Sequence, residues 1–298
     1  MARRKNGNGA KRRKGRGGPF DFRRFWPNAR TRRRLVKNFR RTPLAAQLTV
    51  LSVVFVVLFF AVNWSYQVVR KPSELFFPIS GQLYKDPAQT WDAYGGLFER
   101  HSTAVMTPDL LAALAQVEGS GNPVVRTYWR WSLTHEPFEI FRPASSAVGM
   151  YQITDGTFDI ARRYCVHRHS VVEEGRWYDF KSCWFNWLYT RTVPSHAVEM
   201  TAAYLDRGVA NVLARYSGLR ATLEQKQTLA TLMHLCGAGA ASDYARRGFA
   251  LSPGQSCGSH DARGYLTRVA SMQRRFKALA TARMAGVPQM QEQFAASA

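Results

Sequence analysis

The stretch AQVEGSGNP, residues 115–123, decides how the chain is read. A run of small and apolar residues ends on a single acid, Glu118, and breaks at once on Gly119 and Gly121. Upstream, Thr107-Pro108-Asp109 has the form of a helix start: a capping threonine, proline in the first turn and an acid near the positive helix end. The spacing of Leu110, Leu111, Leu114 and Val117 predicts a helix that stops at Gly119. Glu118 lies four residues from Leu114 and seven from Leu111, which places it on their apolar face. It is either a helix-end charge kept for solubility or a partly desolvated carboxyl group available for chemistry.

Outward from this helix, apolar periodicity predicts further helices near 157–165, 195–216, 223–236 and 264–283. Val198, Ala202, Leu205, Val209 and Val212 give the second a continuous stripe. Strand signals are few; 124–131 and 138–141 can form a small hairpin. The expected fold is therefore mainly α with a possible small hairpin. In the preceding segment, 66–106, Pro72, Pro78 and Pro87 interrupt the chain. Trp91, Tyr94, Leu97 and Phe98 then recur at helical spacing, as a stripe packed on the main domain would.

The chain has 298 residues and a net charge of +22. That charge is concentrated: residues 1–42 hold about 17 Lys and Arg against Asp21, roughly +16 of the total. Next comes LAAQLTVLSVVFVVLFFAVNW, residues 44–64, roughly 20 residues without a charge and long enough to span a bilayer. Trp64 and Tyr66 stand where an aromatic belt would be. The reading is a basic tail over 1–42, disordered, and an uncleaved transmembrane helix over 43–65. The long basic region and the lack of a small-residue cleavage site after Ala61 argue against a signal peptide. Arg32–Arg34, Arg40 and Arg41 hold the N-terminus in the cytoplasm by the positive-inside rule. Nucleic acid is not an expected partner, because the basic run and the folded domain fall on opposite sides of the span.

Cys165, Cys183, Cys236 and Cys257 all follow the span. An even number in an exported domain predicts disulfides, and the pairing that closes the shortest loops is Cys165–Cys183 with Cys236–Cys257. No paired metal-ligand spacing accompanies His167 and His169, so no metal and no cofactor is expected.

At this point the chain resembles a known family. Glu118-Gly119-Ser120-Gly121-Asn122-Pro123 is similar to the E-S-x-x-N-P signature of the lytic transglycosylase domain, in the soluble lytic transglycosylase-like group of the lysozyme-like superfamily. Ser145-Ser146-Ala147-Val148-Gly149-Met150-Tyr151-Gln152-Ile153 resembles its S-x-x-G-L-M-Q-I segment, and Thr157 matches the threonine that follows. Tyr204-Leu205 fits a later Y-L pair. Gly237-Ala238-Gly239 fits the end of A-Y-N-A-G-x-G, with His234-Leu235 where the family has Tyr-Asn. Tyr265 and Val269 resemble the closing Y-V-x-x-V helix. The resemblance covers about 109–280, five pieces in the right order.

The resemblance implies a lysozyme-like helical domain over 107–285, a flexible tail at 286–298, and an enzyme that cleaves the glycosidic bond between N-acetylmuramic acid and N-acetylglucosamine. Its partners would be peptidoglycan glycan strands and the bacterial inner membrane, with the domain in the periplasm. Glu118 would be the catalytic acid. A carboxyl group on an apolar face is disfavoured as an anion and so keeps a proton to give to the leaving oxygen. Gly119, Gly121 and Gly149 would let a sugar approach the backbone. Gln152 and Tyr151 would line the groove. His234 either orients Glu118 and contacts substrate or is a hydrogen-bonded core histidine. Tyr128, Trp129 and Trp131 are either a stacking wall for sugar rings or the packing of an inserted hairpin. Ser145 and Ser146 contact substrate or cap a loop. Tyr265 is expected in the substrate site. Glu136, Glu139, Asp155 and Asp159 are the candidates for a second carboxylate. The alternatives are a hydrolytic muramidase on the same fold and an inactive peptidoglycan-binding scaffold of an envelope protein complex.

Overall fold

The computed structural model describes residues 28–133, 136–176, 178–179, 182–216 and 218–285. The expected disorder of the first residues and the flexible tail at 286–298 lie outside these. Two compact units are present, Met1–Val62 and Asn63–Ala298.

In the first unit the basic tail is not disordered throughout. Helix α1 covers Ala29–Phe39, started by Asn28, whose side-chain oxygen accepts from the Thr31 amide at 3.0 Å. The cap satisfies one of the amides a helix start leaves unpaired, which the composition of the tail did not reveal. Helix α2, Leu44–Arg70, carries a stretch of mean hydropathy 2.5 and is long and apolar enough to cross a membrane. It continues five residues past the end expected from hydropathy.

Those last residues belong to the second unit. The Asn63 side chain donates to the Phe141 carbonyl at 2.8 Å and Gln67 to that of Phe138 at 2.7 Å; both side chains are buried. The short helix α3, Phe77–Ser80, then leads to α4, Pro87–Arg100, which opens with a capping box between Asp86 and Gln89. Trp91 and Phe98 of α4 are 1% and 0% exposed, and Tyr94 and Leu97 pack beside them, so this stripe of the 66–106 segment joins the core of the main domain. Trp91 packs against Phe98 and Phe276 with ring centroids 6.1 and 5.9 Å apart. Burying each such ring is worth about 3 kcal/mol.

Helix α5, Pro108–Gly119, lies at the centre, against α4 and α9. Six consecutive residues, Leu110 to Ala115, are at most 1% exposed. The helix is thus buried all round, not on the one face its leucines suggested. Thr107 caps it by backbone geometry only. The Thr107 hydroxyl accepts instead from the Gln227 amide at 3.1 Å.

The small hairpin forms slightly later than expected, from β1, Trp129–Trp131, and β2, Phe141–Pro143, antiparallel with Trp131 opposite Phe141. Helix α6, Asp155–Ala161, ends before Cys165. Residues expected in its last turn instead form β3, Tyr164–His167, paired with β4, Ser170–Glu173. Arg168 and His169 both take positive φ, 50° and 62°, as a tight two-residue hairpin turn requires.

Helices α7, Pro194–Ala214, and α8, Leu223–Arg246, pack together, and α9, Ala262–Met284, closes the core. Between α8 and α9, Ser256–Cys257 (β5) pairs with His260–Asp261 (β6). Helix α8 does not end at Cys236 as expected. It kinks at Gly237, φ 80°, and resumes. Both expected disulfides are present, with Cα separations of 5.6 Å for Cys165–Cys183 and 5.3 Å for Cys236–Cys257.

Candidate active site

Glu118 is the penultimate residue of α5. The chain reverses directly after it through Ser120, φ 47°, and Gly121, φ 64°. The Tyr265 hydroxyl, from the first turn of α9, donates to Glu118 Oε1. His234, on α8 just before the kink, brings Nε2 to 3.7 Å from the same oxygen. The Tyr265 hydroxyl is pushed well above its ordinary pKa, first by burial and then by the charge of Glu118, so it remains a donor. Among the described residues, Oε2 of Glu118 accepts no hydrogen bond, and the side chain is 19% exposed.

His234 is shared with a cavity of about 230 Å3, whose walls include Gln152, Thr154, Tyr204, Met233 and Gly237. Among the described residues, no carboxylate lines it. Tyr204 was legible in the sequence as part of the Y-L pair but had no role assigned to it there; the fold places it in this wall.

The loop 145–153 is held from outside. One guanidinium nitrogen of Arg191 donates to the Ser146 and Ile153 carbonyls, both at 2.9 Å, and meets Asp155 at 2.8 Å. No local sequence signal marks this arginine. Gln152, φ 48°, spends its amide hydrogens on the Gly149 carbonyl at 2.9 Å and the Val125 carbonyl at 3.3 Å. Gly149, φ 79°, faces the Arg191 carbonyl oxygen, which a Cβ would strike. A Cβ on Gly119 would lie 2.9 Å from the Met150 backbone, and one on Gly121 would strike the Thr90 hydroxyl. These three glycines are therefore required by internal packing, not by room for a ligand.

Other expected residues fall elsewhere. Tyr151 is fully buried and donates to the Leu111 carbonyl at 3.1 Å, so it is a core residue rather than a groove residue. The Ser145 hydroxyl accepts from the Ala147 amide at 3.1 Å and its carbonyl accepts from Lys71 at 3.0 Å, a loop cap. Trp129 donates to Glu74 at 2.9 Å, and Tyr128 is 74% exposed. Both belong to a hairpin bonded to 63–74, not to Glu118. Asp155 pairs with Arg191, Asp159 with Arg162 at 3.3 Å, and Glu139 with Arg70 and Arg142. Glu136 is exposed.

A second glutamate escaped the sequence reading. Glu199, on α7, accepts from the Val166 amide at 2.9 Å and the Tyr189 hydroxyl at 2.6 Å, with His101 Nδ1 at 3.7 Å. Compared with protein-family models, curated proteins and solved structures, the chain matches none.

Proposed function

We propose that this protein is a membrane-anchored lytic transglycosylase that cuts the N-acetylmuramic acid–N-acetylglucosamine bond of peptidoglycan, with Glu118 as its single catalytic carboxyl group. The observation that carries the reading is the state of that group. One oxygen is held by Tyr265, with His234 beside it, and the other is open at a buried helix end. The sequence resemblance supplies the substrate and the lysozyme-like fold. The geometry is what such an acid needs, a fixed carboxyl group with one oxygen open to exchange a proton.

In this mechanism Oε2 gives its proton to the leaving glycosidic oxygen while the substrate's acetamido oxygen supports the cation-like carbon. The resulting carboxylate then takes the proton of the muramic acid 6-hydroxyl as that oxygen closes a 1,6-anhydro ring. No water enters, and one carboxyl group acts twice. The pairing of Asp155, Asp159 and Glu139 with arginines supports this reading over hydrolysis, which uses a second carboxylate about 5–10 Å from the first. The cavity is smaller than the roughly 300 Å3 of most ligand pockets, so it takes a sugar substituent and the strand lies across its mouth.

The N-terminus lies in the cytoplasm and the catalytic domain in the periplasm. The arginines before α2 and the two disulfides after it support this orientation. The test is digestion of peptidoglycan by the full chain in heavy-oxygen water, read by mass spectrometry. Unlabelled anhydromuramoyl ends are expected. Labelled reducing ends would make it a hydrolytic muramidase. Tight strand binding without cleavage would make it a scaffold.

A further inference from the structure

We propose that the groove between α8 and α9 binds the stem peptide of the substrate, the short chain with free carboxylates and one free amine that hangs from the lactyl group of muramic acid. The inference rests on the reading of Glu118 as the acid acting at that sugar, and it adds a second contact for the same substrate. The groove encloses about 500 Å3, within the range of ligand pockets, whereas the cavity beside His234 falls short of it. Glu224, Gln227 and Thr231 of α8 face Leu266, Val269 and Gln273 of α9 across it.

The fold fixes where the groove starts and where it leads. Tyr265 of α9 reaches Glu118 at the end of α5, and Gln273 donates to Asp109 at its start, at 2.8 Å. Helix α9 therefore runs back along α5, away from the carboxyl group. Val269 comes four residues after Tyr265, and Thr231 three residues before His234. The near end thus lies one helical turn from the two residues beside Glu118. From Leu266 to Lys277 the helix rises about 16 Å. An extended peptide of four residues covers about 14 Å. The sugar whose 6-hydroxyl Glu118 deprotonates is the one that carries the peptide, so the peptide sets out from the end where the groove begins.

Charge selects the occupant. The near end offers Thr231, Val269 and Leu266, none of them charged. At the far end Arg274 and Lys277 stand on the α9 wall and Glu224 on the α8 wall, all three exposed. Among the described residues none of the three makes an ion pair. The two open cations match carboxylates, and the open acid opposite matches an amine. A chain of one sign alone would be repelled by one wall. The floor between them is already fixed. Gln273 also donates to Gln227 at 3.0 Å, and Gln227 donates to the Val105 carbonyl and the Thr107 hydroxyl, both at 3.1 Å. These bonds hold α5, α8 and α9 together, so little ordering is left for binding to impose.

The experiment is calorimetric titration of the full chain in nanodiscs. The probe is the disaccharide of N-acetylglucosamine and 1,6-anhydromuramic acid, with and without its stem tetrapeptide. It lacks the bond the reaction breaks, so binding is read apart from cleavage. The stem-bearing form should bind about tenfold more tightly, the sum of a few exposed charge contacts. Arg274→Glu together with Lys277→Glu should remove that gain and leave the affinity of the bare disaccharide unchanged. Arg215→Glu together with Arg283→Glu makes the same charge change at exposed sites outside the groove and should keep the gain. Equal affinity of the two forms overturns the proposal. So does a gain that survives the first pair of substitutions, or one lost equally with the second. Binding of neither form overturns it as well. A stem-dependent gain in a chain that fails to cut peptidoglycan leaves the groove in place and removes the catalytic reading instead. Arg274 and Lys277 are exposed, so their substitution leaves the fold intact.

Discussion

Two glutamates in this molecule are surrounded by the same residue types. Glu118 has the Tyr265 hydroxyl and His234 at 3.7 Å; Glu199 has the Tyr189 hydroxyl and His101 at 3.7 Å. They differ in what completes the shell. Glu199 receives the Val166 amide on its second oxygen and its side chain is 10% exposed, against 19% for Glu118. One carboxyl group is filled with donors and ties β3 to α7. The other keeps an oxygen open at a helix end. A Glu–Tyr–His trio is thus no signature of chemistry by itself. The unfilled acceptor is what sets Glu118, the proposed acid, apart from the saturated Glu199.

Breaking the comparison at its strongest point gives the largest effect. Glu118→Gln keeps the shape but cannot exchange the proton, so peptidoglycan cleavage should fall by about 10²–10⁴-fold with an unchanged melting temperature. Near-normal turnover of the purified variant would remove Glu118 from the mechanism. The partner change, Glu199→Ala, strands the buried Val166 amide and Tyr189 hydroxyl. It should cost about 3 kcal/mol of stability in denaturant unfolding. A loss of cleavage at full stability would reverse the two roles.

The tyrosines sharpen the contrast. Tyr265→Phe should lower cleavage about tenfold, equivalent to about 1.4 kcal/mol, because Glu118 loses the donor that fixes it. Tyr189→Phe should instead cost about 1 kcal/mol of stability and leave the rate of the folded protein alone. Equal effects of both on the rate would erase the distinction.

The smallest effect is on pH dependence. His101 is held below the ordinary histidine value of 6.5, chiefly by burial and against the pull of Glu199. His196 is shifted the same way, also by burial first. Between the depressed folded value and 6.5 the unfolded chain binds more protons than the folded one, so stability rises with pH across that window. The melting temperature should fall as pH drops from about 7.5 to about 5.5, and His101→Asn should flatten that slope. An unchanged slope would show that His101 does not carry it.

Much of the architecture was legible along the chain. The apolar span, the core helix before Glu118 and the two short-loop disulfides all depend on residues close in sequence. The β3–β4 hairpin was not legible, because the apolar period of 157–165 suits a helix and only the Val166 bond to Glu199 and the Cys165–Cys183 link favour a strand. Tyr151 reads as a groove residue within its motif, yet its ring fills the core against α5. The glycines near Glu118 read as openings, yet Met150, Thr90 and Arg191 occupy the space beside them.

The sequence by itself determined that one helix can enter a bilayer and that a lone acid ends the central helix. Transfer into lipid sums over consecutive side chains, and glycine stops a helix through its own backbone freedom. Only the tertiary structure decided which acid stays unfilled. Tyr265 meets Glu118 across 147 residues and Val166 meets Glu199 across 33. The solvation of a side chain is set by whatever the fold brings against it, and no local pattern contains that information.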